Sequence, residues 1–159
     1  MKILIVGGGG NIGQHIISNI DLNTNQVFSI NKNKVFKSKK IKYFRLDYYN
    51  NYKRVKYLTE KYKFDIVINL ICFNKSQVIG DYRLYKNKIS KYLFISSTSI
   101  YQTSKHIINE ESKTEKIKNR YIKGKVEAEK FLMNNTYGFP YIILRVCQIY
   151  GGNNIPSLF

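Results

Sequence analysis

The most constraining feature of the sequence is an apolar run that ends abruptly in glycine. "KILIV" (2–6) is short, β-branched and continuously apolar, which is typical of a strand buried on both faces of a sheet. Four glycines (7–10) follow at once, and in "NIGQHIISNI" (11–20) the isoleucines recur at helical spacing. We therefore predict a buried strand, a tight turn and an amphipathic helix, in that order.

The glycines of this turn are spaced in a way that has a physical purpose. Gly7, Gly10 and Gly13 lie three residues apart. In a turn that binds a dinucleotide, the first glycine forms the bend, the second lets the backbone approach the pyrophosphate, and the third lets the helix pack close to the strand. The N–H groups that open the helix face the phosphates, so Asn11 and Ile12 join the predicted cofactor-binding residues. The alternative is a flexible loop that binds nothing.

The rest of the chain alternates short apolar runs with helical patterns. Further strands are predicted at 26–30, 41–46, 65–73, 91–97 and 141–150, and helices at 49–62, 75–87 and 120–135. Strands that alternate with helices and are apolar enough to be covered on both sides predict an α/β fold. We expect a doubly wound, mostly parallel sheet of about six strands with helices on both faces. With no repeat and no linker, residues 1–159 form one domain.

Composition argues against several classes of protein. No apolar run is long enough to span a bilayer, and no signal-peptide core is present, so we expect a cytoplasmic protein with no membrane partner. Cys72 and Cys147 both lie in apolar, strand-like segments, which favours two buried thiols over a disulfide. No metal-ligand spacing occurs, and we predict no metal site.

The net charge of +17 raises the question of a polyanionic partner. The lysines are spread along the whole chain, and the single dense cluster is 31–42, with six lysines. AT-rich codons would enrich Lys, Asn, Ile and Tyr without any such partner. A nucleic-acid partner is therefore an alternative that the sequence does not favour.

The end of the second predicted strand normally carries the residue that binds the adenosine ribose. Asn31 stands 18 residues beyond Gly13, close to where an Asp or Glu would bind the 2′-hydroxyl of NAD. An amide beside Lys32 accepts a 2′-phosphate that a carboxylate would repel, so the sequence slightly favours NADP over NAD. Lys32 could equally be a solvated loop residue. Asp47, which closes the third strand, either reaches the adenine amino group or caps the following helix.

Several segments together resemble a known family. The chain is similar to the extended short-chain dehydrogenase/reductases, the NAD-dependent epimerase/dehydratase family, and within it to an atypical branch that includes NADP-preferring reductases and some relatives that bind RNA. The resemblance covers nearly the whole chain. The matching segments, in the family's order, are "ILIVGGGGNIG" (3–13), "RLD" (45–47), "DIVINLI" (65–71), "FISSTSIYQ" (94–102), "YIKGK" (121–125) and "ILRVCQIYGG" (143–152).

The resemblance implies that Tyr121 and Lys125 are catalytic. In the family, a tyrosine removes or returns the proton of a substrate hydroxyl while the cofactor takes or gives a hydride. A free phenol has a pKa of about 10 and is a weak base at neutral pH. A lysine four residues along lies on the same helix face, where its charge favours the phenolate, and its ammonium can also hold the nicotinamide ribose. The alternative is a surface pair on an amphipathic helix.

The third catalytic residue of the family is matched by Ser97. The match is positional, because Ser97 lies four residues before Tyr101, as the family's Ser or Thr does. The neighbouring hydroxyl residues that this argument leaves open are Ser96, Thr98 and Ser99. Arg145, at the end of the sixth predicted strand, either contacts a ligand or pairs with a carboxylate.

The implied function is NAD(P)-dependent hydride transfer at a hydroxyl or keto carbon of a small molecule, in the family a nucleotide sugar. Epimerase, dehydratase and reductase chemistry all remain open. The alternative is a non-catalytic NAD(P)-binding module that senses redox state or binds RNA. Family members carry a further, mostly C-terminal region that binds the substrate. We expect residues 1–159 to lack most of it, and a homodimer is compatible with the resemblance.

Overall fold

The computed structural model of the protein describes residues 1–33, 40–114, 119–135 and 137–149. The elements in chain order are β1 (Lys2–Val6), α1 (Asn11–Asn19), β2 (Gln26–Asn31), β3 (Ile41–Arg45), α2 (Tyr52–Tyr62), β4 (Ile66–Asn69), α3 (Lys75–Tyr85), β5 (Lys91–Ser97), a short 3-10 turn (Thr98–Ile100), α4 (Arg120–Asn135) and β6 (Tyr141–Val146).

The strands form one parallel sheet in the order β3-β2-β1-β4-β5-β6. The chain winds outward from β1 to β3, then crosses back to place β4 on the other side of β1. The order of strands therefore reverses between β1 and β4. In open α/β sheets, ligands bind in the crevice that this reversal opens at the carboxyl ends of the strands. The turn that follows β1 lies at this crevice.

Both faces of the sheet are covered. On one face Leu4 and Val6 of β1 pack in a core that receives apolar side chains from α2, α3 and α4. On the other face Ile3 and Ile5 pack in a smaller core that includes Ile17 of α1. Side chains of successive strand residues point to opposite faces, so a strand buried on both sides must be apolar throughout. The predicted fold class is confirmed.

Two strands end four residues before the sequence indicated, and β3 ends one residue before it. The apolar run 65–73 contains β4 only as far as Asn69, because the Asn69 side-chain oxygen accepts a hydrogen bond from the Ile71 backbone N–H at 3.0 Å and turns the chain out of the sheet. The run 141–150 contains β6 only as far as Val146.

The two cysteines differ in burial. Cys72 is buried as predicted, whereas Cys147 is exposed, so the prediction of a second buried thiol was wrong. The reason is that Cys147 follows the last residue of β6 and no longer lies in the sheet. Residues 34–39 of the lysine cluster and residues 150–152 of the last matching segment lie outside the described residues.

Two searches of the described residues bear on function. None of their helices is both long and apolar enough to cross a bilayer. In the same part of the chain, no three His, Cys, Asp or Glu side chains come together as a group that could hold a metal ion.

Candidate functional site

The glycine turn, residues 7–13, is held by close packing. Gly7 has a φ of +84°, in the left-handed region that favours glycine, and a Cβ there would also lie 2.6 Å from the Ile71 side chain. A Cβ on Gly13 would lie 2.4 Å from the Gly8 Cα, so α1 can approach the turn only because residue 13 has no side chain. A Cβ on Gly10, in contrast, would meet nothing closer than the Gly7 carbonyl oxygen at 3.6 Å. Gly10 therefore leaves open space above the turn.

The first turn of α1 can receive an anion. Gly10 is its N-terminal cap, no side chain among the described residues caps it, and no acidic residue lies in it. The unpaired N–H groups and the positive end of the helix dipole favour negative charge at this position. A cavity of about 440 Å³ opens here, and it is lined by Gly7, Gly10, Asn11, Ile12, Gly13, Leu70, Ile71 and Ile149.

A second cavity of about 380 Å³ lies at the carboxyl ends of β2 and β3. The residues that it shares with the first cavity are Gly7, Gly10 and Ile71. Asn31, Lys32, Asp47 and Tyr48 are among its other lining residues. The glycine turn thus separates two adjoining cavities, with Ile71 in the wall of both.

Asn31 is part of the framework of the glycine turn. Its side chain is buried, its Oδ1 accepts a hydrogen bond from the Gly9 N–H at 2.6 Å, and its Nδ2 donates to the Ser29 Oγ at 3.1 Å. The sequence indicated only a residue that binds a ribose. The structure adds a bracing contact, because the amide offers an acceptor to one neighbour and a donor to the other.

Lys32 and Asp47 lie together at the mouth of the second cavity. The Lys32 Nζ lies 2.9 Å from an Asp47 carboxylate oxygen, and this contact, with hydrogen bonds from Asn50, lowers the pKa of Asp47. Asp47 does not cap α2. It accepts hydrogen bonds from the Asn50 side chain and backbone N–H, in the turn before that helix begins at Tyr52.

Lys125 is a buried ammonium on α4, with 2% of its surface exposed. Its Nζ donates to the backbone carbonyls of Cys72 at 2.7 Å and Ile95 at 2.5 Å. The rings of Phe73 and Phe94 lie with their centroids 4.9 Å from it. Burial lowers the pKa of Lys125 to about 8. These five residues are called the Lys125 pocket below.

Tyr121 precedes Lys125 by one helical turn and lies on the same face. The Lys125 Nζ is 5.7 Å from the centroid of the Tyr121 ring, and the centroids of the Phe73 and Tyr121 rings are 6.2 Å apart. Tyr121 is 42% exposed, so a ligand can reach it. Gly124 lies between the two, and a Cβ on it would collide with the Phe73 carbonyl oxygen. α4 therefore packs tightly on the loop of residues 70–74 that follows β4.

Ser97 is the last residue of β5. Its Oγ accepts a hydrogen bond from the Ser99 N–H at 3.2 Å, and it follows Ile95, which holds Lys125, by two residues. Within the described chain no hydrogen bond joins Ser97 to Tyr121. The adjacent Ser96 points to the opposite face of the strand, where its Oγ is buried and has no partner among the described residues.

Arg145 pairs with a carboxylate, which was one of the two sequence alternatives. Its guanidinium donates to both carboxylate oxygens of Glu129, at 2.7 to 3.2 Å, and to the Tyr101 hydroxyl at 2.7 Å. Glu129 is 2% exposed and its hydrogen bonds raise the pKa of Arg145. The sequence analysis missed Glu129. Its position four residues after Lys125, on the same helix face, was the available signal.

The glycine turn at the crevice of a parallel six-stranded sheet defines a Rossmann-type nucleotide-binding fold. Residues 3–157 match the model of the NAD dependent epimerase/dehydratase family. The chain therefore belongs to that family, which confirms the resemblance. A search of curated proteins found no significant match.

Solved structures share the fold. The UDP-Glc/GlcNAc 4-epimerase of Campylobacter jejuni is 22% identical with a TM-score of 0.76, over 99% of this chain and 58% of its own. The UDP-glucuronic acid 4-epimerase of Bacillus cereus, in complex with NAD, is 20% identical with a TM-score of 0.79, over 99% and 60%. The Bordetella bronchiseptica enzyme WbmH, in complex with NAD+, is 13% identical with a TM-score of 0.80, over 98% and 58%. The chain thus spans about three fifths of the length of these proteins.

Proposed function

We propose that the chain binds a nicotinamide dinucleotide across the two cavities and uses Ser97, Tyr121 and Lys125 for hydride-transfer chemistry at a hydroxyl or keto carbon. One observation carries this proposal. Lys125 is held by the carbonyl of Cys72, and Cys72 directly follows Ile71, which forms a wall of both cavities. A catalytic ammonium and a dinucleotide site are thereby fixed to the same short loop.

The residues around the two cavities fit a dinucleotide. The open side of Gly10 and the unpaired N–H groups of α1 suit a pyrophosphate. The cavity beside Asn31, Lys32 and Asp47 is where the adenosine half would lie, and the cavity beside Leu70 and Ile149 lies on the nicotinamide side. Two of the similar solved structures are complexes with NAD.

The preference between NADP and NAD depends on Lys32. An amide at position 31 with an adjacent ammonium tolerates a 2′-phosphate, which favours NADP(H), with NAD(H) second. The ion pair with Asp47 offsets part of the Lys32 charge. We therefore expect a modest preference.

When bound, the nicotinamide supplies the acceptor or donor of the hydride. The Tyr121 phenol takes or returns the proton of the substrate hydroxyl, and Ser97 donates a hydrogen bond to the reacting oxygen. The Lys125 ammonium lies 5.7 Å from the centroid of the phenol ring, and its positive charge stabilises negative charge on the phenol oxygen. The ammonium would also hold the nicotinamide ribose.

For the substrate we propose a sugar nucleotide. The support is that two of the similar solved proteins are 4-epimerases that act on UDP-sugars. Epimerase and dehydratase outcomes share the same first step, which is removal of a proton from a hydroxyl as the hydride leaves its carbon. A reductase runs this step in reverse, with the hydride added to a keto carbon and the proton returned to its oxygen. The residues described here serve that step in each case.

The first experiment is calorimetric titration of the 159-residue chain with NADPH and with NADH. We expect binding of both, with NADPH tighter. A failure of both to bind would refute the proposed function. A clear preference for NADH would refute only the argument from Asn31 and Lys32.

The second experiment tests the chemistry through Tyr121→Phe, with Tyr57→Phe as the matched control because Tyr57 is similarly exposed but lies on α2. After addition of UDP-sugars, reduction of the bound oxidised cofactor is followed by its absorbance. We expect Tyr121→Phe to lose about a hundredfold or more in rate with unchanged cofactor affinity, and Tyr57→Phe to match the wild type. A Tyr121→Phe variant with the rate of Tyr57→Phe would refute the catalytic assignment of Tyr121.

A further inference from the structure

A buried polar cluster lies behind the second cavity and has no part in the proposed chemistry. At its centre is Asp81 of α3, which is 2% exposed. Its carboxylate accepts hydrogen bonds from Tyr92 Oη at 2.5 Å, Asn69 Nδ2 at 2.7 Å, Tyr48 Oη at 2.8 Å and Tyr49 Oη at 3.3 Å. Within the described chain it forms no ion pair. A buried carboxylate without a cation is costly, and these four donors offset that cost.

Asn69 links this carboxylate to the wall of both cavities. Its Nδ2 donates to Asp81, and its Oδ1 accepts from the Ile71 N–H at 3.0 Å. The orientation of the Asn69 amide is therefore set by Asp81, because only a group that accepts hydrogen bonds can face the Nδ2 end. Ile71 in turn packs on Gly7, where even a Cβ would come within 2.6 Å of it.

The cluster also reaches the adenosine side of the site and the Lys125 pocket. Tyr48, whose hydroxyl donates to Asp81, lines the second cavity next to Asp47. Cys72, one residue beyond Ile71, provides a carbonyl for the Lys125 ammonium. One carboxylate is thus connected to two walls of the dinucleotide cavities and to the loop whose Cys72 carbonyl accepts a hydrogen bond from Lys125.

We propose that Asp81 is a positioning residue of the dinucleotide site, which through Asn69 holds the loop of residues 70–74 and through Tyr48 holds another part of the wall of the second cavity. This inference rests on the proposed function. It predicts that cofactor affinity depends on the hydrogen-bonding state of a side chain that touches no ligand.

The charge state of Asp81 provides a specific test of this role. Burial raises the pKa of Asp81 to about 6. The titratable groups that face it are Tyr48 and Tyr49 before α2, Tyr92 on β5, Cys72 in the loop of residues 70–74, and Tyr85 on α3 itself, all of them neutral in this pH range. A protonated carboxyl must donate one hydrogen bond, so four facing donors cannot all be accepted. The cluster should therefore loosen as the pH falls through about 6.

The experiment compares Asp81→Asn with Tyr85→Phe in the 159-residue chain, by calorimetric titration with NAD+. Asparagine has nearly the same volume as aspartate, but its NH2 group is a donor and would face side chains that are themselves donors. Tyr85 is equally buried on α3 and bonds the cluster only at Tyr48, with no hydrogen bond to Asp81 or Asn69. At neutral pH we expect NAD+ affinity to fall about fivefold in Asp81→Asn and to stay at the wild-type value in Tyr85→Phe, although both variants lose stability in urea.

The pH dependence is measured with NAD+ because it lacks the 2′-phosphate of NADP+, whose own pKa is about 6. Wild-type affinity should fall as the pH drops through about 6, and Asp81→Asn should show no such change. If Asp81→Asn does not fold, the pH dependence of wild-type NAD+ affinity still tests the proposal. A wild-type affinity that does not change with pH would overturn it.

Besides a wild-type NAD+ affinity that does not change with pH, three results would overturn the inference. The first is unchanged NAD+ affinity in Asp81→Asn, and the second is a wild-type pH response that the variant retains. The third is an equal loss of affinity in both variants in proportion to lost stability, which would indicate a purely structural carboxylate. A wild-type chain that binds no NAD+ at any pH would refute the proposed function and this inference together. Normal wild-type binding with an unaltered Asp81→Asn would refute the inference alone.

Discussion

The glycine turn is held in place by close packing, whereas the Lys125 pocket is held by hydrogen bonds to a buried charge. In the turn, backbone atoms of α1 and the preceding loop lie so close that Gly13 has no room for a Cβ. In the pocket, one ammonium satisfies the carbonyls of Cys72 and Ile95, which belong to different parts of the chain. The two regions meet at the loop of residues 70–74. The difference indicates that steric changes should damage the turn at any pH, while changes of charge should damage the pocket in a pH-dependent way.

The largest effect is expected from Gly13→Ala, with Gly10→Ala as its control. The alanine Cβ at position 13 would lie 2.4 Å from the Gly8 Cα, so we expect the free energy of unfolding to fall by about 3 kcal/mol or more. The Gly10 position is open and Gly10→Ala should unfold like the wild type, yet its methyl group stands where a pyrophosphate would approach. Urea unfolding and NADH titration separate the two effects. Equal stability of the two variants would contradict close packing as the cause.

The next effect concerns Lys125→Met, which removes the ammonium but keeps the length of the side chain. Two buried carbonyls lose their donor, at about 1–3 kcal/mol each, and removal of a buried charge offsets part of this loss. We expect the free energy of unfolding to fall by about 2 kcal/mol at neutral pH. Lys123→Met, on the exposed face of the same helix, should have little effect.

The stability difference between wild type and Lys125→Met should also depend on pH. The folded state lowers the pKa of Lys125 from 10.5 to about 8, so between these values the unfolded chain binds more protons than the folded one. The contribution of Lys125 to stability is therefore greatest above 10.5 and is lost as the pH falls through about 8. Unfolding in urea at several pH values should show that the difference in the free energy of unfolding between the wild type and Lys125→Met increases toward alkaline pH. If this difference is the same at every pH, burial does not lower the pKa of Lys125.

A smaller effect is expected from Asn31→Ala, which removes the side-chain hydrogen bonds that brace the glycine turn. The Gly9 N–H and the Ser29 hydroxyl lose their partner, and we expect a loss of about 1–2 kcal/mol. Asn33→Ala, two residues further on at an exposed position, is the control and should be neutral. If the two variants unfold alike in urea, packing alone maintains the turn.

The smallest effect on stability is expected from Lys32→Ala. The Lys32 side chain is 70% exposed, and an ion pair of this kind contributes roughly 0–1 kcal/mol. The informative measurement is cofactor selectivity. Loss of one ammonium near a 2′-phosphate in water should weaken NADPH binding by about fivefold and leave NADH binding unchanged. Parallel changes for both cofactors would show that Lys32 does not face the 2′-phosphate.

Local sequence patterns were sufficient to predict features that depend on interactions between residues close together in the chain. β1, β5 and α4 begin and end where apolar runs and helix signals predicted, and Tyr121 and Lys125 share a face because the helix repeats every 3.6 residues. The glycine turn and the helix that follows it were likewise predictable, since the positive φ of Gly7 and the contact of Gly13 with Gly8 depend on residues that are close in the chain. The ends of β4 and β6 were not, because an apolar residue in a loop resembles one in a strand.

The partners of buried polar groups were decided by the tertiary structure alone. Lys125 donates to Cys72 and Ile95, Asn31 accepts from Gly9, and Asp81 accepts hydrogen bonds from Tyr92 on β5 and Tyr48 in the segment before α2. None of these pairings is encoded by spacing along the chain. They exist because the sheet order places β4 between β1 and β5, so that loops distant in sequence meet at one edge. Periodicity reveals which face of an element is buried, but the choice of hydrogen-bond partner depends on which elements become neighbours.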